Sequence, residues 1–195
     1  NMITIKRNNL RRITFWKTER NLIIGNRIIG DKYSLTHSQY YNIYKNNYIN
    51  IDDVDYAFHS CEFYNNIIVC YKIEVLNNCI FNNNILDITL FYPSENDLVT
   101  YNISSRENLP DSQNQNDINF NDIFIDYPQD LHLKPDSPAK ATGKNGVDIG
   151  IYGGDTPYID GGLPGIPSIF YFDASMADSK EEGLNIKIKV RSNNE

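Results

Sequence analysis

The chain has 195 residues and a mass of 22.5 kDa, enough for one domain with a continuous core. Hydrophobic residues make up 41% of it and aromatic residues 12%, which excludes a disordered chain. The formal net charge of −7 argues against nucleic acid as a partner, because phosphate binding requires a basic surface. Roughly 27 residues are asparagine and about as many are isoleucine, a composition that disfavours long helices and favours strands.

The first 30 residues differ in charge from the rest of the chain. They carry about +6, which leaves about −13 for the remainder. We expect a solvated edge there, with an anionic partner as the alternative. The chain opens on Asn1 without a signal segment, and no apolar run reaches the roughly 18 residues of a membrane span. We therefore expect a piece of a longer protein.

Similar short stretches recur along residues 22–103. Residues 61–68 match residues 79–86 at the cysteine, the phenylalanine, two asparagines and an isoleucine. The same frame returns about every 18–20 residues, which suits one coil of a parallel β-helix and is too short for a helical hairpin repeat. The repeat predicts an all-β fold, a right-handed parallel β-helix (solenoid) of about six or seven coils.

A column of asparagines is predicted to hold the coils in register. An inward amide can bond both the backbone of its own corner and the amide of the next coil, and asparagine tolerates left-handed backbone. The second position of each asparagine pair is interrupted by Arg27 and Ile103, so we place the ladder on the first position. The predicted ladder is Asn26, Asn46, Asn65, Asn83 and Asn102.

Apolar residues two places before and two places after these asparagines are predicted to face inward, at the strand period of two. They are Ile24, Tyr44, Phe63 and Phe81 before, and Ile28, Tyr48, Ile67 and Ile85 after.

Cys61 and Cys79 hold equivalent positions in successive coils. We expect stacked, buried thiols, and a disulfide between the two is the alternative.

A polar stretch at residues 104–117 interrupts the repeat. It contains Pro110 and has no periodicity, so we predict an insertion on one face that carries binding groups or only meets solvent. Short strands are predicted at residues 123–126 and 130–133.

Residues 130–139, with Gly143 and residues 146–154, resemble the closing segment of bacterial right-handed parallel β-helix proteins of the pectin-lyase-like superfamily. The resemblance implies the C-terminal part of a larger exported protein at the cell surface or outside the cell. From the residues themselves we expect a cap. Its glycines permit tight corners, and Ala139 and Ala141 are small enough to lie over the last coil. Asp148 is expected to accept turn amides.

The last residues predict a separate terminal hairpin. Residues 161–167 form a turn-rich linker, and residues 184–191 alternate strictly between apolar and polar side chains. With the strand-like residues 168–174 they would form an antiparallel pair, covered by the β-helix flank or by another chain. We thus divide the chain into residues 1–160 and 161–195.

Candidate chemistry lies at one corner of the repeat. Asp53 and His59 are the candidate catalytic residues, and Asp52, Asp55 and Arg106 are the candidate binding residues. A lyase acting on a uronate polymer needs a base and a means to neutralise a carboxylate, so calcium is expected only under that reading. No spacing of Cys and His suits a metal site, and no other cofactor is expected.

Two functions remain open at this stage. The first is a non-enzymatic extracellular or cell-surface protein that binds glycan or forms part of a larger assembly. The alternative is a polysaccharide lyase or glycoside hydrolase acting on a uronate-rich polymer. We also expect the first coil to be covered by preceding coils or by another subunit, because an open strand edge is a pairing template.

Overall fold

A computed structural model describes residues 3–11, 13–14, 19–30, 35–36, 39–54, 57–73, 76–106, 109–160, 168–174 and 186–191. The described chain is a stack of parallel strands with very little helix. In chain order the strands are β1 (Thr4–Lys6), β2 (Asn9–Leu10), β3 (Ile13–Thr14), β4 (Leu22–Ile24), β5 (Arg27–Gly30), β6 (Leu35–Thr36), β7 (Gln39–Tyr40), β8 (Ile43–Lys45), β9 (Tyr48–Ile51), β10 (Asp53–Val54), β11 (Phe58–His59), β12 (Glu62–Tyr64), β13 (Ile67–Ile73), β14 (Leu76–Asn77), β15 (Ile80–Asn82), β16 (Ile85–Phe91), β17 (Leu98–Thr100), β18 (Ile103–Ser104), β19 (Phe124–Asp126), β20 (Asp130–Leu133), β21 (Ser168–Ala174) and β22 (Ile186–Arg191).

Two long parallel sheets and a shorter third sheet form the sides of the solenoid. The first sheet is β1-β4-β8-β12-β15-β17, and the second is β2-β5-β9-β13-β16-β18 with β10 added beside β13. Strands β7, β11 and β14 form the third sheet, and β3 pairs with β6. About four turns are complete, fewer than the six or seven coils expected, because the chain leaves the repeat after β18. The predicted β-solenoid is thus confirmed, whereas its right-handed sense stays a prediction.

The interior of the solenoid is built from stacked side chains of equivalent residues. In the first sheet Phe63 pairs with Tyr44 on one side and Phe81 on the other. Their rings stack at centroid distances of 4.8 and 4.4 Å, and all three residues are buried. Ile23, rather than the predicted Ile24, continues this column, since it is the residue in register with Tyr44.

Strands β9, β13 and β16 of the second sheet begin with two consecutive residues that are buried on opposite faces. Ile68 and Leu86 pack into the interior of the solenoid, whereas their neighbours Ile67 and Ile85 pack in a second cluster outside it. The prediction that Tyr48, Ile67 and Ile85 face inward is therefore wrong. Strands buried on both faces read as continuous apolar runs, which hides the alternation that would have assigned each side chain to a face.

The outer cluster is completed by residues 120–151, which continue into a segment that lies along the second corner of the turns. We call residues 143–156 the strap. Its contacts run from Asn83, whose side chain accepts a hydrogen bond from the Lys144 amide, back to Asn46, whose Nδ2 donates to the carbonyls of Ile151 and Gly153. The strap therefore crosses the turns in the direction opposite to their stacking.

Each turn has two corners at which one residue adopts the left-handed conformation. At the second corner, between the first and second sheets, these residues are Arg7, Gly25, Asn46, Asn65, Asn83 and Tyr101, with φ between 51° and 62°. At the first corner, before the first sheet, they are Arg20, Tyr41, Ser60 and Asn78. The residue that follows each of them turns into the solenoid.

The asparagine ladder runs through the inward residue of the second corner. In Asn66, for example, Oδ1 accepts from Asn47 N at 2.9 Å and from Asn47 Nδ2 at 3.0 Å, and Nδ2 donates to Asn84 Oδ1 at 3.0 Å. The rungs are Asn8, Asn26, Asn47, Asn66, Asn84, Asn102 and Asn114.

The predicted ladder is therefore correct at Asn26 and Asn102 and wrong at Asn46, Asn65 and Asn83. The latter three are the left-handed residues, so their side chains turn outward towards the strap.

The polar stretch after β18 closes the last turn. Leu109 packs into the interior core, and Asn114 occupies the ladder position that a further turn would supply. Gln115 forms a parallel bridge with Ile103. We predicted this cap at Ala139 and Ala141 instead. Ala139 is buried in the outer cluster and Ala141 is exposed, because the segment that bears them lies beside the turns.

The remaining elements are short. Helix α1 (Phe120–Ile123) leads into β19, which forms an antiparallel hairpin with β20, and a 3₁₀ turn covers Lys144–Gly146. The chain divides into two compact units, Asn1–Tyr158 and Ile159–Glu195, beside the boundary expected after Asp160. In the second unit β21 and β22 pair antiparallel, as predicted. No helix in the described ranges is long and apolar enough to cross a membrane.

Candidate functional site

A polar groove of about 410 Å³ opens on the outside of the solenoid at its last turn. One wall comes from β16 and the residues just after β18, and the other comes from α1 and the β19-β20 hairpin. Carboxylates, amides, one guanidinium and aromatic rings line it. The lining residues are Asp87, Ser105, Arg106, Asp117, Asn119, Phe120, Asn121 and Tyr127.

Local structure fixes the wall formed by α1. Asp117 adopts the left-handed conformation with φ 58°, which turns the chain before the helix. Asn119 caps the helix, its side chain accepting from the Asn121 amide at 2.8 Å. Phe120 is buried in the outer cluster and anchors the wall, whereas Asp117, Asn119 and Asn121 remain exposed at the rim.

The β19-β20 hairpin supplies the aromatic wall. The Tyr127 ring packs edge-on against Phe120 at 4.9 Å and face-on against Phe124 at 5.7 Å. Burial, reinforced by the neighbouring Tyr48 and Asp87, raises the pKa of Tyr127 well above its usual value. Its hydroxyl therefore stays protonated at physiological pH and acts as a hydrogen-bonding group rather than a base.

An ion pair organises the opposite wall. Arg106 Nε lies 3.0 Å from Asp87 Oδ1, and the Ser105 hydroxyl donates to the same oxygen at 2.8 Å. The Arg106 side chain is 53% exposed, and its terminal nitrogens form no hydrogen bond with the described residues. Since guanidinium has five N–H donors, most of its donors face the groove or solvent.

The predicted candidate residues do not lie together. Arg106 lines the groove, whereas Asp52 lies exposed in the bend between β9 and β10, two strands earlier in the second sheet. His59 lies on the third sheet, where its ring stacks on Tyr40 at 4.8 Å. The backbone of Asp53 begins β10, and Asp55 falls outside the described residues.

No ion pair links Asp52 to His59 in the part of the chain that the structure describes, and no cluster of three potential metal ligands occurs there. The catalytic role of Asp53 and His59 and the binding role of Asp52 and Asp55 stay predictions.

Sequence reasoning missed most of the groove. Asp87 stands in register with Val69 and Asn50 on the outer face of the second sheet, where a carboxylate is out of place among neighbours that pack against a covering segment. The contrast between this carboxylate and its packed neighbours could therefore have indicated the groove from the sequence. The contributions of Asn119, Asn121 and Tyr127 depend on how the chain folds back after the last turn, and the repeat contains no information about that path.

A second polar cluster lies on β20. His132 Nδ1 is 2.7 Å from Asp130 Oδ1, and the His132 ring stacks on Tyr152 at 4.2 Å. The hydrogen bond from the His132 amide, together with that from its ring, lowers the pKa of Asp130. We interpret this partly exposed pair as a surface contact that orders the β19-β20 hairpin.

The three cysteines are buried, and none of them forms a disulfide. Cys61 Sγ donates to the Gln39 carbonyl at 3.4 Å and Cys79 Sγ to the Phe58 carbonyl at 3.3 Å. Burial raises the pKa of Cys61 to about 12, which makes its thiol a poor nucleophile at neutral pH.

Comparisons with protein-family models, curated proteins and solved structures found no match for this chain.

Proposed function

We propose that the protein is a non-enzymatic extracellular or cell-surface β-solenoid that binds glycan in the groove beside Arg106. The observation that carries this proposal is the composition of the groove. Exposed amides and carboxylates, free guanidinium donors and an aromatic wall occur within one cavity of about 410 Å³. A sugar has both hydroxyl groups and apolar ring faces, which such a mixed lining matches.

The groove is small and open to solvent, which favours the binding of one or two sugar units of a longer polymer. The resemblance of residues 130–154 to pectin-lyase-like β-helix proteins supports an exported protein and a polysaccharide partner. Membership of that superfamily is part of the proposal, as is a place in a larger assembly.

Arg106 is the residue on which the proposal depends most. Its terminal N–H groups would donate to sugar hydroxyls or to a uronate carboxylate, and Asp87 would hold it in position. The Tyr127 ring would provide the apolar contact.

The test is a binding titration against a panel of uronate and neutral polymers, with and without calcium. We expect saturable binding to at least one polymer, weakened at least tenfold by Arg106→Ala and by Asn121→Ala. Arg20→Ala is the matched control, because Arg20 is also exposed but lies far from the groove in the basic first part of the chain. An unchanged affinity in Arg106→Ala would exclude this groove.

The same incubation tests the enzymatic alternative. New absorbance from double bonds, or new reducing ends, would identify a lyase or a hydrolase. Loss of that activity in Asp53→Ala and His59→Ala would place the chemistry at the predicted corner and overturn the non-enzymatic proposal.

A further inference from the structure

Three side chains carry the charge of the groove lining. Asp87 and Asp117 are carboxylates, and Arg106 is the cation among the lining residues. Arg106 Nε lies 3.0 Å from Asp87 Oδ1, so these two charges offset each other. Asp117 is exposed and forms no ion pair with the described residues. The lining therefore carries one uncompensated negative charge.

Charged groups on the elements around the groove do not reverse this charge. Lys134 Nζ donates to the Asn121 carbonyl at 2.5 Å, but Lys134 does not line the groove. Asp122, on the same helix, is an exposed carboxylate that also lies outside the lining, and Asp126, next to Tyr127, is another. The cation is thus outnumbered by carboxylates, and the groove opens on an acidic surface.

The unpaired groups at the rim differ in the hydrogen bonds that they can form. The Asp117 carboxylate only accepts, whereas the Asn121 side chain, which bonds none of the described residues, can donate and accept. A sugar hydroxyl also donates and accepts, so it can bond both groups. A uronate carboxylate only accepts, so it cannot bond Asp117, and placing two like charges together is costly.

From the charge and the hydrogen-bonding groups of the lining we infer that the groove selects a neutral, hydroxyl-rich glycan over a uronate polymer. This inference rests on the glycan binding proposed above and names the class of glycan. Sugar hydroxyls would donate to Asp117 and bond the amide of Asn121. Arg106 would donate to hydroxyl oxygens, since its charge is already offset by Asp87.

The test compares matched polymers that differ in charge. Polygalacturonate and alginate are each titrated in the native form and after reduction of their carboxyl groups to primary alcohols, beside the neutral polymers of the panel above. Isothermal titration calorimetry gives the affinity of each form. At about 0.05 M salt we expect a carboxyl-reduced polymer to bind at least tenfold more tightly than its native form. The ratio should shrink at about 0.5 M salt, because salt screens the repulsion.

Asp117→Asn tests whether this carboxylate causes the selection. Asparagine also tolerates the left-handed backbone of position 117, so the variant removes the charge and keeps the turn. We expect the affinity ratio of reduced to native polymer to fall at least threefold. Asp111→Asn is the matched control, because Asp111 is also exposed and left-handed, with φ 79°, but does not line the groove. Its ratio should stay within twofold of the wild type.

The outcomes separate this inference from the proposed function. Tighter binding of a native uronate polymer that is lost in Arg106→Ala would overturn the inference and leave the glycan groove in place. A ratio that Asp117→Asn does not change would also overturn it, because the selection would then have another cause. Absence of binding to every polymer, neutral or charged, would overturn the inference and the proposed function together.

Discussion

The two corners of each turn use different side chains to hydrogen-bond the neighbouring turn. Both place an inward side chain where it bonds backbone groups of the neighbouring turn, and the residue before it is left-handed at every position except Asp97. At the second corner that side chain is asparagine in every described turn. At the first corner the series is Asn21, Asn42, Cys61, Cys79 and Asp97, as the strand register aligns them.

The two corners differ in whether their inward side chains hydrogen-bond one another from turn to turn. Asn21 donates N–H and Nδ2–H to Asn42 Oδ1, both at 2.9 Å, as the rungs of the second corner do. Asn42 Nδ2 then donates sideways to Gln39 Oε1 at 2.7 Å, and the amide chain stops. Cys61 and Cys79 donate only to carbonyls. A thiol thus bonds only a backbone carbonyl, whereas an amide also bonds the amide of the next turn and so fixes the register between the two turns.

Asn66 and Cys61, at equivalent depths in the two corners, are both fully buried, but Asn66 makes more hydrogen bonds, so we expect the second corner to contribute more to stability than the first. Asn66→Ala would remove the side-chain hydrogen bonds that residue 66 makes with Asn47 N–H, Asn47 Nδ2, the Tyr44 carbonyl and Asn84 Oδ1. Asn84 Oδ1 would keep the bond from the backbone amide of residue 66, and Asn47 Nδ2 would keep its bond to the Ile23 carbonyl. We expect the free energy of unfolding in urea to fall by about 3–5 kcal/mol, since buried groups left unpaired cost about 1–3 kcal/mol each and relax in part.

The matched change at the first corner is Cys61→Ala, for which we expect a loss of about 1 kcal/mol, from a small cavity and a weak hydrogen bond. Equal losses for the two variants would contradict the comparison.

The first corner should also be sensitive to alkali, and the second should not. Because the pKa of Cys61 is raised to about 12, its contribution is fully present below the unfolded-state value of about 8.5 and is lost as the pH rises towards 12. At pH 10 we expect the wild type to lose about 2 kcal/mol relative to Cys61→Ala, which reverses their order of stability. Urea unfolding of both proteins at pH 7 and pH 10 measures this change in their relative stability, and the effect of tyrosine ionisation cancels because both proteins have the same tyrosines. A difference in the free energy of unfolding that is the same at both pH values would contradict the prediction.

The outward residues of the second corner permit a comparison within one column. Asn46 and Asn65 have φ of 51° and 54°, so glycine fits both positions. Asn46 bonds the strap three times, through Ile151, Gly153 and Thr156, whereas Asn65 Oδ1 is buried without a partner among the described residues. We expect Asn46→Gly to lower the free energy of unfolding by about 1–2 kcal/mol and Asn65→Gly to change it by less than about 0.5 kcal/mol.

Hydrogen exchange of the strap amides would report the same difference. Exchange should accelerate in Asn46→Gly and stay near the wild-type rate in Asn65→Gly. Faster exchange in Asn65→Gly than in Asn46→Gly would show that side-chain bonds do not hold the strap.

The solenoid could be predicted from the sequence because its period repeats the same inward residues, as in Tyr44, Phe63 and Phe81. The position of the ladder was misassigned because Asn26 was aligned with Asn46. Aligning Gly25 with Asn46 instead, since glycine and asparagine share the left-handed conformation, gives asparagine at every rung. Tyr101 obscures this pattern, as a tyrosine carries no signal for left-handed backbone.

The groove could be predicted only in part. Arg106 was singled out as a binding residue and does line the cavity, but its neighbours come from a region where the repeat has ended. Leu109 shows the difficulty. It is one apolar residue within a polar stretch, and nothing local indicates that it packs inside the last turn. The return path of the strap likewise depends on Tyr48, Ile67 and Ile85, whose outward direction is concealed in runs of isoleucine.

Asn114 has a consequence for how the solenoid behaves in a crowded solution. It lies 12 residues after Asn102 rather than a full turn later, yet it presents Oδ1 to Asn102 N at 2.8 Å, as a true rung would. A stack of identical amide rungs with an open end is a template that could recruit further chains, as amyloid fibrils do. Asn114 bonds the last rung and so blocks this open end with a residue of the same chain. The stack of rungs therefore ends at a defined length, although its repeating structure could otherwise be extended.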